Sequence, residues 1–402
     1  MLALVMPHAF AHTVEILTTV MAVAGMGYFL ASILAAHIYL HLRRKPAPVF
    51  APGVTVMKSL KGVDPGMMDA FRSHCRQEYA GDFELLFGVA SLDDPAVAAV
   101  ERLQTEFPSR TIKLIECPER LGTNGKVSTL FQMSFHARHD FLLINDADIS
   151  VSPHYLARVM SCFAPSPQDE RKPLPPVGLA TALYRGQAHG TLGSRFESLG
   201  IATDFMPGVL LSRLIEGGLH YGLGSTLAVR REALEKAGGL LALVDHLADD
   251  YEMGARVANA GYRVALCSEV VATGIPAYRW REFVDHQLRW ARTVRDSRPG
   301  GYFGLIVTYG FAWATLNLLA SGLSPLSLWI FALSFFLRLA QAMTVGAQVL
   351  GDHQVLGCLW LLPLRDFVQL AVWIAGLAGN TIVWRGERFL LKDGRLHREP
   401  AG

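Results

Sequence analysis

Residues 14–40 form an apolar run whose only ionisable members are Glu15 near its start and His37 near its end. The run exceeds the roughly 20 residues needed to cross a bilayer, so it must lie in lipid or be wholly covered by protein. A cleaved leader would place basic residues before the run and a small-residue cleavage site after it. Here Arg43, Arg44 and Lys45 follow it instead, so it reads as an uncleaved anchor with Pro46 onward on the cytoplasmic side. Apolar runs return at 303–320, at 325–350 (interrupted by Arg338) and at 354–384 (split by Pro363, Arg365 and Asp366). An Arg–Asp pair at that depth must face protein or the interface. From Arg385 the tail is basic and also favours the cytoplasm. Three complete crossings would leave that tail outside, so one segment, 354–364 for preference, is expected to be re-entrant or interfacial.

Four regions follow: an anchor (1–45), a cytoplasmic domain (46–298), C-terminal membrane helices (299–384) and a basic tail (385–402). The 51% hydrophobic content suits a soluble domain joined to spanning helices. A formal net charge of +2 does not suggest nucleic-acid binding. The five cysteines contain no C-x-x-C pair. That supports neither a disulfide framework nor a zinc site and fits a reducing compartment.

Between the apolar ends, strands alternate with helices. Strands are expected at 54–57, 84–90, 112–116, 141–144, 177–184, 227–229 and 263–271. Helices are expected at 67–78, 96–107, 127–137, 232–237, 250–260 and 279–296. This is the α/β pattern of a mainly parallel sheet flanked by helices. Pro-rich residues 165–176 read as a surface loop, and 190–223 is ambiguous between core and membrane surface. No G-x-G-x-x-G follows the first strand and no G-x-x-x-x-G-K-S/T occurs, which argues against dinucleotide and P-loop sites.

Residues 141–150 (FLLINDADIS) run a buried strand into Asp146 and Asp148. Carboxylates at such a strand end can hold a hard divalent cation, Mg²⁺ or Mn²⁺, with positions left for phosphate oxygens. An Asp-rich turn capping the next helix would look the same. Asp93 and Asp94 follow the second strand, where they can accept from a nucleoside or cap the helix near Pro95. Gly122–Lys126 (GTNGK) precedes a helix, so Asn124, Lys126 and the helix N-terminus can face an anion or form only a polar turn. In LADDYE, Asp249 and Asp250 open a helix; there a carboxylate serves the helix dipole or acts as general base. HQLRW offers His286, a phosphate-binding Arg289 and the flat wall of Trp290; interfacial Arg and Trp anchors would read alike.

The order D…D-x-D…D…R-W resembles the inverting nucleotide-sugar glycosyltransferases of the GT-A fold. Over nearly the whole chain it is similar to the ceramide glucosyltransferase family (glycosyltransferase family 21). The likeness includes KSLKGVDP (58–65), LDDPA (92–96), Asn124–Lys126, GSTLAVRREALEKAGGL (224–240), LADDY (247–251), HQLRW (286–290) and TIVWRGERFL (381–390). Within the family, HQLRWARTVR, LADDYEMG and the DADI form look most like the bacterial branch associated with hopanoid biosynthesis.

The resemblance implies a GT-A domain with terminal transmembrane or interfacial helices, in a multi-pass protein of a bacterial cell membrane. It implies metal-dependent, inverting transfer from a UDP-sugar to a membrane lipid hydroxyl, with UDP-N-acetylglucosamine and bacteriohopanetetrol as the leaning. Glucosyl or glucuronosyl transfer to ceramide is the alternative; a processive polysaccharide synthase and a non-catalytic sugar-nucleotide-binding subunit are the others. By the same resemblance Asp250 is the base, with Asp249 as its neighbour, and Asp146 and Asp148 hold the metal. Asp93 or Asp94 binds uridine, with Ser91 a third candidate because eukaryotic members carry a carboxylate there. Asn124, Lys126, Arg289 and Trp290 face the nucleotide or diphosphate. His286 departs from the family's (Q/R)-x-x-R-W, and Thr181 stands where eukaryotic members carry a histidine.

Overall fold

The strand Phe141–Ile144 lies where an all-apolar strand must, inside a sheet covered on both faces. In the computed structural model, which describes residues 8–44, 47–165, 174–384 and 387–398, it is β4 of an eight-stranded sheet. The others are β1 (Val54–Ser59), β2 (Phe83–Val89), β3 (Thr111–Glu116), β5 (Ile149–Ser150), β6 (Val177–Ala188), β7 (Leu227–Arg230) and β8 (Arg263–Ile275). Their order is β3-β2-β1-β4-β7-β6-β8-β5. β1, β2, β3 and β4 are mutually parallel, β6 and β8 are parallel, and β7 enters antiparallel between β4 and β6.

The sheet grows outward from β1 through β2 to β3 and then returns to β1's other side with β4. That reversal makes the crevice beyond the carboxyl ends of β1 and β4 the topological switch point, where open α/β sheets take ligands. Every residue of β2 and β4 is buried, whereas edge strand β3 is half-exposed.

Two compact units divide the chain. The described residues of Arg43–His189, Ser212–Pro276 and Asn380–Gly402 make the sheet unit; those of Met1–Leu42, Gly190–Leu211 and Ala277–Gly379 make a helical unit. This differs from a single domain at 46–298. The helix Trp280–Ser297 belongs to the helical unit because its side chains bond there: Gln287 to Glu197, and Arg292 and Arg295 to the carbonyls of Ala378, Gly376 and Gly379.

The tail also differs from expectation. Arg385 and the end beyond residue 398 lie outside the described residues, as does most of the Pro-rich loop, but the rest folds as β9 (Thr381–Trp384), β10 (Glu387–Lys392) and β11 (Arg395–Arg398), an antiparallel meander in the sheet unit. Its alternating Phe389, Leu391 and Leu396 are buried with Ile382, a strand-period pattern hidden among charges.

Four helices among the described residues are long and apolar enough to cross a membrane: Ala11–Arg43, Leu192–Ile215, Pro325–Val349 and Gln354–Gly376. A fifth arises if Pro299–Thr308 and Gly310–Ala320, bent by 53°, form one broken span. The sharp bend thus falls at 299–320, while Gln354–Gly376 carries a 3₁₀ turn at Leu359–Leu361. Arg365 and Asp366 do not break their helix because both are buried in protein. The Asp366 carboxylate accepts from Arg338 (2.6 Å), Arg365 donates to Asp204 (2.9 Å), and Arg338 bridges to Asp204 (2.6 Å). Each buried charge thus has a partner of opposite sign, the condition for keeping it at that depth. A Cβ on Gly25 would lie 2.2 Å from the Gly310 Cα, so these two helices touch backbone to backbone.

Candidate active site

Asp146 and Asp148 leave β4 on a turn that is held from beneath. Asn145 is buried, and its amide donates to the Ser225 carbonyl (2.6 Å) and to the Tyr155 hydroxyl (2.9 Å). The Thr273 hydroxyl on β8 donates to Asp148 Oδ2, beside the Ile149–Thr273 pairing of β5 with β8. Burial, reinforced by the charge of Asp146, raises the Asp148 carboxyl above its ordinary value.

Sequence reasoning missed Lys58. It is the fifth residue of β1, fully buried, and its Nζ donates to the Asp146 carbonyl at 2.8 Å. Burial pushes this ammonium down to about 7, against the opposing pull of Asp148 and Asp146. The available signal was a lone lysine closing an otherwise buried apolar strand at the switch point.

Lys126, in the first turn of the helix Gly125–Ser134, reaches back to Asp146 Oδ1 (2.7 Å) and lies 3.5 Å from Asp249 Oδ2. Burial alone would lower its pKa, but Asp146 and Asp249 outweigh that and keep it firmly charged. Asn124 is enclosed. Its Oδ1 caps the helix by accepting from the Val127 N–H, while its Nδ2 donates to the His246 carbonyl (2.8 Å) and to Asp249 Oδ1 (3.3 Å). It acts as a strut between two loops, with its amide already engaged on both sides.

Asp249 and Asp250 begin the helix Asp249–Asn259. Burial and the neighbouring Asp249 push the Asp250 carboxyl up to about 6, with Lys126 opposing. Its Oδ2 lies directly on the Gly224 backbone, where a Cβ would come within 3.0 Å. A Cβ on Gly254 would sit 2.1 Å from the Gly222 N, so the 221–224 loop and the helix pack without room for side chains. Thr181 secures that loop, accepting from the Leu223 N–H (3.0 Å) and donating to the Thr226 carbonyl (2.8 Å).

The structure thus brings Asp146, Asp148, Asn124, Lys126, Asp249 and Asp250 together at the carboxyl edge of the sheet. Asp94 stands farther along that edge, after β2, and is committed to backbone: its carboxylate accepts from the N–H groups of Gly62 (3.0 Å) and Ala96 (2.9 Å). It starts the next helix and pins the KSLKGVDP loop. Asp93 and Ser91 are exposed on the same turn and bonded to each other, the Asp93 N–H donating to Ser91 Oγ (3.2 Å).

In the helical unit, His286 Nδ1 lies 2.9 Å from the Glu197 carboxylate, which also accepts from Gln287 (3.1 Å). The Trp290 ring sits edge-on to Phe205 at 5.7 Å, and Arg289 is on the same helix.

Two carboxylates one residue apart, one of them partly exposed beside a lysine, form a donor set suited to a hard cation that completes its shell with phosphate oxygens and water. No group of three or more His, Cys, Asp or Glu side chains among the described residues could hold a metal unaided.

This sheet, reversed at β1–β4 with acidic groups over its carboxyl edge, is the GT-A glycosyltransferase fold. The structure aligns with a mannosyltransferase from Pyrobaculum calidifontis, solved in complex with GDP-Man and Mn²⁺, at a TM-score of 0.52 and 21% identity over 90% of this chain and 97% of that one. The chain belongs to glycosyl transferase family 21, whose model matches residues 17–397. It is similar to two proteins of Caenorhabditis elegans. Ceramide glucosyltransferase 3 is 24% identical over 85% of this chain and 73% of its own length. Ceramide glucosyltransferase 1 is 22% identical over 88% and 75%. The protein is accordingly a hexosyltransferase that takes its sugar from a nucleotide-sugar donor.

Proposed function

We propose that this enzyme transfers a sugar from a UDP-sugar to the hydroxyl of a membrane lipid, with inversion at the anomeric carbon and a divalent cation bound by Asp146 and Asp148. The observation that carries this reading is Lys126, which joins Asp146 to Asp249 beside Asp250 and so puts diphosphate-binding and proton-accepting groups in one place. A bound Mg²⁺ or Mn²⁺ supplies Lewis-acid stabilisation of the leaving diphosphate. Lys126 adds a fixed positive charge where negative charge develops; the family resemblance of HQLRW gives Arg289 and Trp290 the parts of bidentate donor and flat wall for the nucleotide. Asp93, with Ser91 beside it, is the exposed acceptor pair for the uridine; Asp94 holds their turn. Asp250, ionised above about pH 6, takes the proton of the attacking lipid hydroxyl. One displacement then converts an α-linked donor into a β-glycoside.

The apolar helices favour a lipid acceptor, which reaches such a protein without leaving the bilayer. Arg43, Arg44 and Lys45 after the first apolar run favour a cytoplasmic site in a bacterial cell membrane. N-acetylglucosamine transfer to bacteriohopanetetrol rests on the resemblance of HQLRWARTVR, LADDYEMG and DADI to the hopanoid branch. Hexose transfer to ceramide is the second reading, favoured by the two nematode relatives.

The test supplies purified full-length protein in nanodiscs with radiolabelled UDP-N-acetylglucosamine, UDP-glucose or UDP-glucuronic acid, each against bacteriohopanetetrol and ceramide. Lipid-linked label with one pair defines the reaction. Its absence with every pair, while UDP still binds, overturns transfer to these two lipids.

A further inference from the structure

The C-terminal meander β9–β11 is joined by backbone to the loop that delivers Asp249 and Asp250. The Leu396 N–H donates to the Asp245 carbonyl (2.8 Å), the Leu247 N–H donates to the Gly394 carbonyl (3.2 Å), and His246 bridges to Arg395. The chain entering the 249–259 helix thus runs as an added antiparallel edge against β11. Leu247 packs on the buried Ile382, Phe389, Leu391 and Leu396.

The same loop is joined on its other side to the turn that delivers Lys126. The Thr123 N–H and hydroxyl both donate to Asp245 Oδ1 (2.9 and 3.0 Å), and the Asn124 N–H donates to the Val244 carbonyl (2.7 Å). Arg120 closes the circuit. It forks onto both carboxylate oxygens of Glu387 at 3.1 Å and donates to the Thr123 carbonyl at 3.3 Å.

We propose that the strands Thr381–Trp384, Glu387–Lys392 and Arg395–Arg398 are a positioning element of the transfer site: the meander clasps the 244–248 loop against the 120–124 turn and thereby sets the separation of Lys126 from Asp249 and Asp250. The inference rests on the roles given to those three residues above. None of the meander side chains named touches the reacting groups; they act through Asp245, Leu247 and Arg120. The arrangement assigns a purpose to the TIVWRGERFL segment that donor and metal binding leave unused. An exposed Arg–Glu fork stabilises a fold little, and its value here is directional, since it ties strand β10 to the turn ahead of Lys126.

The experiment uses the full-length chain in nanodiscs and three variants: Leu396→Ala, Glu387→Arg, and the charge swap Arg120→Glu with Glu387→Arg. Amide exchange is followed at Asn124 and at 245–250 without substrate, and kcat and KM are measured with UDP-N-acetylglucosamine. The first two variants are expected to speed exchange there at least tenfold and to lower kcat by about 10- to 100-fold, because small misplacement of reacting groups is costly. Donor KM should change by less than about threefold, and the charge swap, which restores the 120–387 pairing but not the donation to the Thr123 carbonyl, should recover part of the kcat lost in Glu387→Arg and slow exchange relative to it, which general destabilisation would not do. Unchanged exchange after the fork and the leucine are removed, or faster exchange with unchanged kcat, overturns the inference. The exchange needs no substrate and no catalytic role for Asp250, so it reads the clasp even if Asp250→Asn were to keep full activity.

Discussion

Replacing Lys58 with methionine keeps an unbranched apolar stem of nearly the same length and removes the ammonium. The Asp146 carbonyl then loses its donor at 2.8 Å in a fully buried position, at a cost of about 1–3 kcal/mol. Removing a buried charge whose own pKa is pushed down to about 7 returns part of that cost. The net change in stability should therefore stay within about 2 kcal/mol at neutral pH. The effect on transfer is expected to be far larger, about 100-fold in kcat, because the turn carrying both metal-binding carboxylates loses its underpinning.

Thermal unfolding supplies a second readout with a definite sign. Between about pH 7 and the ordinary lysine value of 10.5, the unfolded chain keeps the proton on Lys58 and the folded chain has released it. Stability from this group therefore rises with pH through that window and is lost as pH falls toward 7. Lys58→Met should remove that slope. Wild-type kcat in Lys58→Met, or an unaltered pH slope of stability, would refute the reasoning.

Gly224→Ala places a methyl 3.0 Å from Asp250 Oδ2 and should lower kcat about tenfold with little change in melting temperature; steady-state kinetics beside calorimetry reads both. With the Asp250 carboxyl pushed up to about 6, kcat should be flat above pH 6 and fall about tenfold per unit below it, whereas a profile flat down to pH 5 would remove Asp250 as the base. The same raised pKa makes the fold lose stability as pH rises through about 6. EDTA should abolish transfer and added Mg²⁺ or Mn²⁺ restore it; full turnover in EDTA would end the metal role of Asp146 and Asp148.

Periodicity made most of the sheet legible. The strand at 141–144 was expected with the bounds observed, and β1, β2 and β3 within two residues at each end, because buried parallel strands are short apolar runs between turn signals. The meander escaped notice because Arg388, Lys392, Arg395 and Arg398 dominate its composition, and three short strands have core-facing positions only where a partner, the 245–247 loop, covers them. The two-residue β5 is below any periodic signal.

The need for Arg365 and Asp366 to face protein followed from the cost of charge in lipid, but their partners did not, since Asp204 and Arg338 lie on other helices far along the chain. Among the site groups, the local pattern marked Asp146, Asp148, Lys126 and Asp250, which stand at element ends. It left open whether Asp94 and Asn124 face ligand or protein; the Asp94 carboxylate is spent on backbone and the Asn124 amide on backbone and Asp249. Lys58 stayed hidden because its one signal, a lone lysine near the end of a short buried strand, is shared by lysines whose ammonium snorkels to solvent.

The central claim is that Asp250 accepts the proton of the lipid hydroxyl. Its most direct test is the transfer rate of Asp250→Asn, with UDP binding and the melting temperature recorded on the same preparation. The asparagine keeps the shape beside Gly224 and loses the basic oxygen, so the account predicts a fall of at least about 100-fold in kcat with UDP affinity and fold retained. Near-wild-type transfer by Asp250→Asn would contradict it.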